Sequence, residues 1–210
     1  MKITELTGYR NNPIYQLALK SFSIGNFESN MKNAGYAKHM LGSGLYGVVF
    51  EKPNTNFVYK LFDAHDDGYL KFLKFVLKNQ NNKHVPKVMG QPIRLDFDNR
   101  GSGKGVNINA YIVKLERLEE TNLSNPHHAE QYKLVMGIIS SLEKIRLNDP
   151  MRSGAMNYLN KIETQYPDLV NILEDINDLS PSEMDMHSGN VMMRGNDIVI
   201  TDPYAGGIFS

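Results

Sequence analysis

Residues 36–118 and residues 129–178 carry two different hydrophobic periods, and this division limits the chain to an α+β layout with strands and helices segregated. Residues 36–62 follow a strand pattern interrupted by Pro53-Asn54-Thr55-Asn56, whose turn chemistry between β-branched and aromatic runs predicts a hairpin. Residues 85–95 and 106–118 are expected as two more strands, joined by a glycine-rich polar connector over 96–105. Between these pairs, Tyr69, Leu70, Phe72, Leu73, Val76 and Leu77 recur at helical spacing and predict a helix over about 66–79. In the second half, Tyr132, Val135, Met136, Ile139, Leu142 and Ile145 predict a helix over 129–147, followed by helices over about 151–164 and 167–178. Short strands at 191–193 and 198–201 close the pattern, and residues 13–34 suggest one or two helices with Pro13 in a first turn. The expected layout has two lobes: 1–118 with a five-stranded antiparallel sheet and one helix, and 119–210 with a small helical lobe, hinged near 116–119.

Charge narrows the partners. Lys plus Arg and Asp plus Glu number 23 each, so the chain has no basic excess to hold nucleic acid or a membrane surface. No apolar run reaches 18 residues, so no transmembrane helix is expected, and the first residues lack the apolar core of a secretory signal. Cysteine is absent, which excludes disulfides, zinc-thiolate centres and thiol catalysis. A cytoplasmic location is the expectation.

Two motifs carry chemistry. The first is Gly42-Ser43-Gly44-Leu45-Tyr46-Gly47-Val48-Val49, followed by Val58-Tyr59-Lys60. A dinucleotide-binding loop of this spacing opens a helix, whereas here the chain continues as a strand, so the glycines are expected to fold a strand-to-strand loop over phosphates. Period two puts Val58 and Lys60 on one face of their strand, with Lys60 directed to phosphates and Val49 and Val58 covering a base. The second motif is Asp185-Met186-His187-Ser188-Gly189-Asn190, with Asp202 twelve residues later at the end of a β-branched run. This pattern suits metal-assisted phosphoryl transfer. Asp185 accepts the proton of an attacking hydroxyl, Asn190 and Asp202 bind Mg²⁺, and His187 donates a hydrogen bond to the γ-phosphate.

In combination these residues resemble the protein-kinase superfamily over about residues 36–204. Asp185–Asn190 followed by Ile200-Thr201-Asp202-Pro203 is most similar to the early serine/threonine protein kinases of short-tailed, autographivirus-type bacteriophages, and minimal bacterial effector kinases are also similar. The resemblance implies a minimal two-lobed protein-kinase-like fold with a truncated C-lobe, and ATP and Mg²⁺ as cofactors. It further implies host protein substrates modified on Ser or Thr in the host cytoplasm. The nucleotide-binding set it implies is Gly42, Ser43, Gly44, Gly47, Val49, Val58, Lys60, Glu116 and Leu118. The Asp-x-His-x-Gly-Asn pattern also occurs in aminoglycoside- and choline-type phosphotransferases, so a small-molecule substrate is one alternative and a host-binding pseudokinase another.

Four departures from the superfamily pattern stand out. Glu183 and Met184 precede Asp185 where an arginine is usual; Asp202-Pro203-Tyr204 replaces Asp-Phe-Gly; no Ala-Pro-Glu segment follows; and the helix after Lys60 carries no glutamate. Asp66 or Asp67 is the favoured acidic partner for Lys60, with Glu51 or Glu28 as one alternative and pairing with ATP alone as another.

Overall fold

The computed structural model describes residues 12–40, 47–97, 108–179 and 184–204. They form an α+β protein of two compact units, the first drawn from Met1–Asp66 and Val88–Arg117, the second from Asp67–Lys87 and Leu118–Ser210.

In the first unit, helices α1 (Pro13–Leu19) and α2 (Ile24–Asn33) precede the strands. Each helix starts on a side-chain cap: the Asn12 amide oxygen accepts from the Ile14 backbone N–H at 2.9 Å, and the Ser23 hydroxyl from Asn26 at 3.1 Å. Five strands follow, β1 (Ala37–Met40), β2 (Gly47–Glu51), β3 (Phe57–Asp63), β4 (Ile93–Phe97) and β5 (Ile108–Glu116), forming an antiparallel sheet in the order β1-β2-β3-β5-β4. The β2–β3 turn uses Asn54 at φ 61°, a left-handed conformation that Asn tolerates better than most residues. One face of the sheet buries Phe50, Tyr59, Leu61, Ile93, Leu95, Phe97, Ala110 and Ile112 against Ile14, Ala18, Phe27 and Met31 of the two helices. Phe27 sits at the centre, edge-on to Phe50 at 6.0 Å and tilted against Phe97 at 5.7 Å.

The expected strand over 85–95 requires correction. Residues 86–92 pair only through a single bridge from Val88 to Leu115, and regular strand begins at Ile93. Pro86 and Pro92 lack ladder donors, and Gly90 at φ 123° turns the chain out of the sheet plane. The glycine-rich connector falls largely outside the described residues.

The second unit holds α3 (Asp67–Lys78), β6 (Glu119–Glu120), α4 (Pro126–Arg146), α5 (Arg152–Glu163), α6 (Pro167–Leu179), β7 (Val191–Arg194) and β8 (Asp197–Ile200). The division at 118 expected from sequence therefore differs in one respect, because α3 and the residues up to Lys87 group with the second unit. Hydrogen bonds after α3 show why. Arg194 donates to the carbonyls of Lys83 (2.7 Å) and Val85 (2.9 Å), and Lys83 pairs with Asp197 at 2.9 Å. The Ile200 N–H donates to His84 O at 2.9 Å, while His84 Nδ1–H donates to Ile198 O at 2.8 Å. This staples 83–85 to the β7–β8 hairpin. The small sheet runs β6-β7-β8, and α6 supports the unit with Leu169, Val170, Ile172, Leu173 and Ile176 all buried. Among the described residues no helix is long and apolar enough to cross a membrane.

His84 makes this unit sensitive to acid. Burial lowers its pKa below the ordinary 6.5 and Lys83 adds to the effect, against the opposing influence of the Ile198 bond and of Asp197 and Asp168. The unfolded chain therefore takes up the proton first as pH falls. Stability should decline from about pH 6.5 downward until the depressed folded value is passed. We expect the melting temperature to drop over that window, and the drop to shrink in His84→Asn, which retains an N–H for Ile198; an unchanged pH slope in thermal unfolding would refute this.

Candidate functional site

In the first unit Gly47, Val49, Val58 and Lys60 share the sheet face opposite α1 and α2, whereas Glu116 falls by register with Phe57 on the face that carries the helices. Cross-strand partners place Val49, Lys60 and Val113 in one row and Glu51, Val58 and Leu115 in the next, with Gly47, Phe62 and Tyr111 on the other side of the lysine. Lys60 is 4% exposed, which is rare for a lysine and costly unless its ammonium is engaged. Its stem passes close to Gly47: a Cβ built there would sit 3.3 Å from Lys60 Cε. The last glycine of the motif therefore leaves the space the lysine side chain occupies. Of the acids considered for Lys60, Glu51 pairs with Arg117 and Glu28 with Lys38 at 2.7 Å. Gly42, Ser43 and Gly44 lie outside the described residues. Glu116 ends β5, opposite Phe57, and Leu118 follows as a half-buried residue of the second unit.

In the second unit the loop before β7 alternates in exposure, with Asp185 and His187 outward and Met186 buried between them as an anchor. Asn190 is 8% exposed and its Nδ2 donates to the backbone carbonyl of Asp185 at 2.6 Å. Its own N–H donates to His187 O at 2.9 Å, and its carbonyl accepts from the Thr201 N–H at 2.9 Å. The Asp185 N–H donates to Pro203 O at 2.8 Å. These bonds set Asp185 and Asn190 against the Asp202 segment, so residues twelve and more apart in sequence share one locality. His187 Nδ1 accepts from the Gly189 N–H at 3.0 Å, so the neutral ring carries its proton on Nε2. Gly189 leaves room for this ring position: a Cβ there would lie 2.9 Å from His187 Cε1, and the ring would have to shift.

Three participants were not anticipated from sequence. Val113 and Leu115 flank Lys60 only through strand register, although the period of two along β5 shows them sharing a face. Tyr204 is buried and its hydroxyl donates to Ile176 O; its place after Asp202-Pro203 was its only signal.

The chain matches no protein-family model and no curated protein.

Proposed function

We propose that the chain is an ATP- and Mg²⁺-dependent phosphotransferase of minimal two-lobed, protein-kinase-like fold, acting on Ser or Thr hydroxyls of host proteins during phage takeover of a cell. The observation that carries this reading is the Asp185–Asn190–Asp202 arrangement, tied together by the Asn190 Nδ2, Asp185 N–H and Thr201 N–H bonds at 2.6, 2.8 and 2.9 Å. Because the Asn190 amide nitrogen is spent on Asp185 O, its Oδ1 is left as a neutral oxygen donor. With the Asp202 carboxylate this is a hard-oxygen donor pair suited to Mg²⁺.

Bound Mg²⁺ would neutralise charge developing on the phosphates. The exposed Asp185 carboxylate takes the proton of the substrate hydroxyl as that oxygen bonds to the γ-phosphorus. The bond from the γ-phosphorus to the bridging oxygen breaks, and ADP leaves with that oxygen. His187 Nε2–H faces outward as a donor for the γ-phosphate oxygens. Lys60 balances the α- and β-phosphate charge, and Val49, Val58 and Leu115 supply apolar cover for the base.

Incubation of the protein with labelled ATP and Mg²⁺ in host lysate, followed by phosphosite mapping, tests the reading. Label on Ser or Thr of one or a few proteins is the expected result. Label confined to small hydroxyl compounds would move the assignment to the small-molecule class, and no transfer at all would refute both. With Met184 in place of the usual arginine, the residue before Asp185 carries no charge to read a phosphorylated segment. Phosphatase treatment of freshly expressed protein should therefore leave the rate unchanged, and a large loss would count against constitutive activity.

A further inference from the structure

We infer that Tyr204 is a positioning residue for Asp202, its hydroxyl bond to Ile176 O fixing the segment that carries the metal-binding carboxylate; the functional part of this inference rests on the phosphotransfer reading. The segment is tied on both sides of Asp202. Thr201 N–H reaches Asn190 O at 2.9 Å, Pro203 O receives Asp185 N–H at 2.8 Å, and Tyr204 bridges Met184 through its backbone. Asp202 lies between these ties and stays half-buried while Pro203 and Tyr204 are buried.

The last tie reaches outside the site. Ile176 is in the final turn of α6, which ends at Leu179. The Tyr204 hydroxyl donates to its carbonyl, joining the end of the Asp202 segment to that turn. α6 is itself held by five buried apolar side chains, so the bond connects Asp202's segment to a firmly packed helix of its unit. Tyr204 is itself buried. A phenylalanine in its place would fill the same space and make no bond. Pro203 restricts φ on the other side of the carboxylate, so the two residues after Asp202 hold it by different means.

The experiment compares wild type, Tyr204→Phe and the packing control Ile172→Val, all as full chains. Amide hydrogen exchange is followed at Asp185 and Thr201, whose N–H groups make the two ties, and Mg²⁺-dependent binding of ATP is followed by calorimetry. Loss of one neutral hydrogen bond predicts exchange at both amides about 3- to 10-fold faster in Tyr204→Phe, and a similar rise in the Mg²⁺ concentration needed for half-maximal ATP binding. Ile172→Val should leave both at wild type after correction for global stability. Unchanged amide exchange in Tyr204→Phe, or equal acceleration in both variants, would overturn the inference. Accelerated exchange with an unshifted Mg²⁺ requirement would overturn its functional part. Wild-type protein that binds no ATP with Mg²⁺ would overturn the phosphotransfer reading, while the amides would still decide whether Tyr204 holds the segment.

Discussion

Asp185→Ala is expected to slow phosphate transfer by about a thousandfold or more, within the range by which a positioned general base accelerates proton transfer. Binding of Mg²⁺ and ATP should stay within a few-fold of wild type. The distinction follows from how the loop is built. Its ties run through main-chain atoms: Asp185 N–H to Pro203 O, and Asp185 O to the Asn190 amide. Truncating the exposed carboxylate removes none of them, so Asn190 and Asp202 keep their places. Asp202→Ala should behave differently, losing transfer to a comparable degree and also weakening Mg²⁺-dependent ATP binding, because on the proposed reading it removes a metal-ligand oxygen. Single-turnover rates and calorimetry on both variants separate the roles. Near-normal turnover by Asp185→Ala would remove the basis for assigning chemistry to the whole loop.

The parts of this protein that were legible in its sequence are those where one face of an element is apolar. The helices at 126–146, 152–163 and 167–179, the hairpin through Asn54, and the central strands all announce themselves by period or by turn chemistry. Elements without such a period do not. The two-residue strand Glu119–Glu120 is exposed and wholly polar, and exists because it pairs with Met193 and Met192. Residues 86–92 are apolar enough to suggest a strand, yet two prolines and a positive-φ glycine reduce their pairing to one bridge. The helix after Lys60 shows its buried face in Tyr69, Phe72, Leu73 and Val76, but an amphipathic pattern cannot say which neighbour receives that face. Arg194 and His84, far apart in sequence, decide the grouping of the residues that follow it. In the candidate site, the spacing from Asp185 to Asn190 and Asp202 indicated an arrangement. The bonds that hold it are mostly main-chain bonds, which side-chain identity does not reveal.

Lys60→Met should cut kcat/KM for ATP by about a hundredfold to a thousandfold, the scale of removing a desolvated charge from its partner. Methionine retains an unbranched stem for the space beside Gly47 and the row between Val49 and Val113, so β3 should remain paired and the melting temperature should fall by only a few degrees. Lys60→Arg keeps the charge and is still expected to fail, because a planar guanidinium is wider than the ammonium stem that now runs within 3.3 Å of where Gly47 would carry a Cβ. The same geometry makes Gly47→Ala a mild version of the defect. Its new methyl is tighter against Lys60 Cε than nearly all real contacts, so the lysine must give by a few tenths of an ångström. A several-fold rise in KM for ATP with little change in kcat is the expected result, since a displaced lysine weakens phosphate binding before it affects proton transfer at Asp185. Steady-state kinetics on the three variants, with circular dichroism to confirm the fold, test the sheet face directly. If Lys60→Met turned over ATP at the wild-type rate, the buried lysine would be a feature of β3 packing alone and the glycine motif would lose its role in phosphate binding.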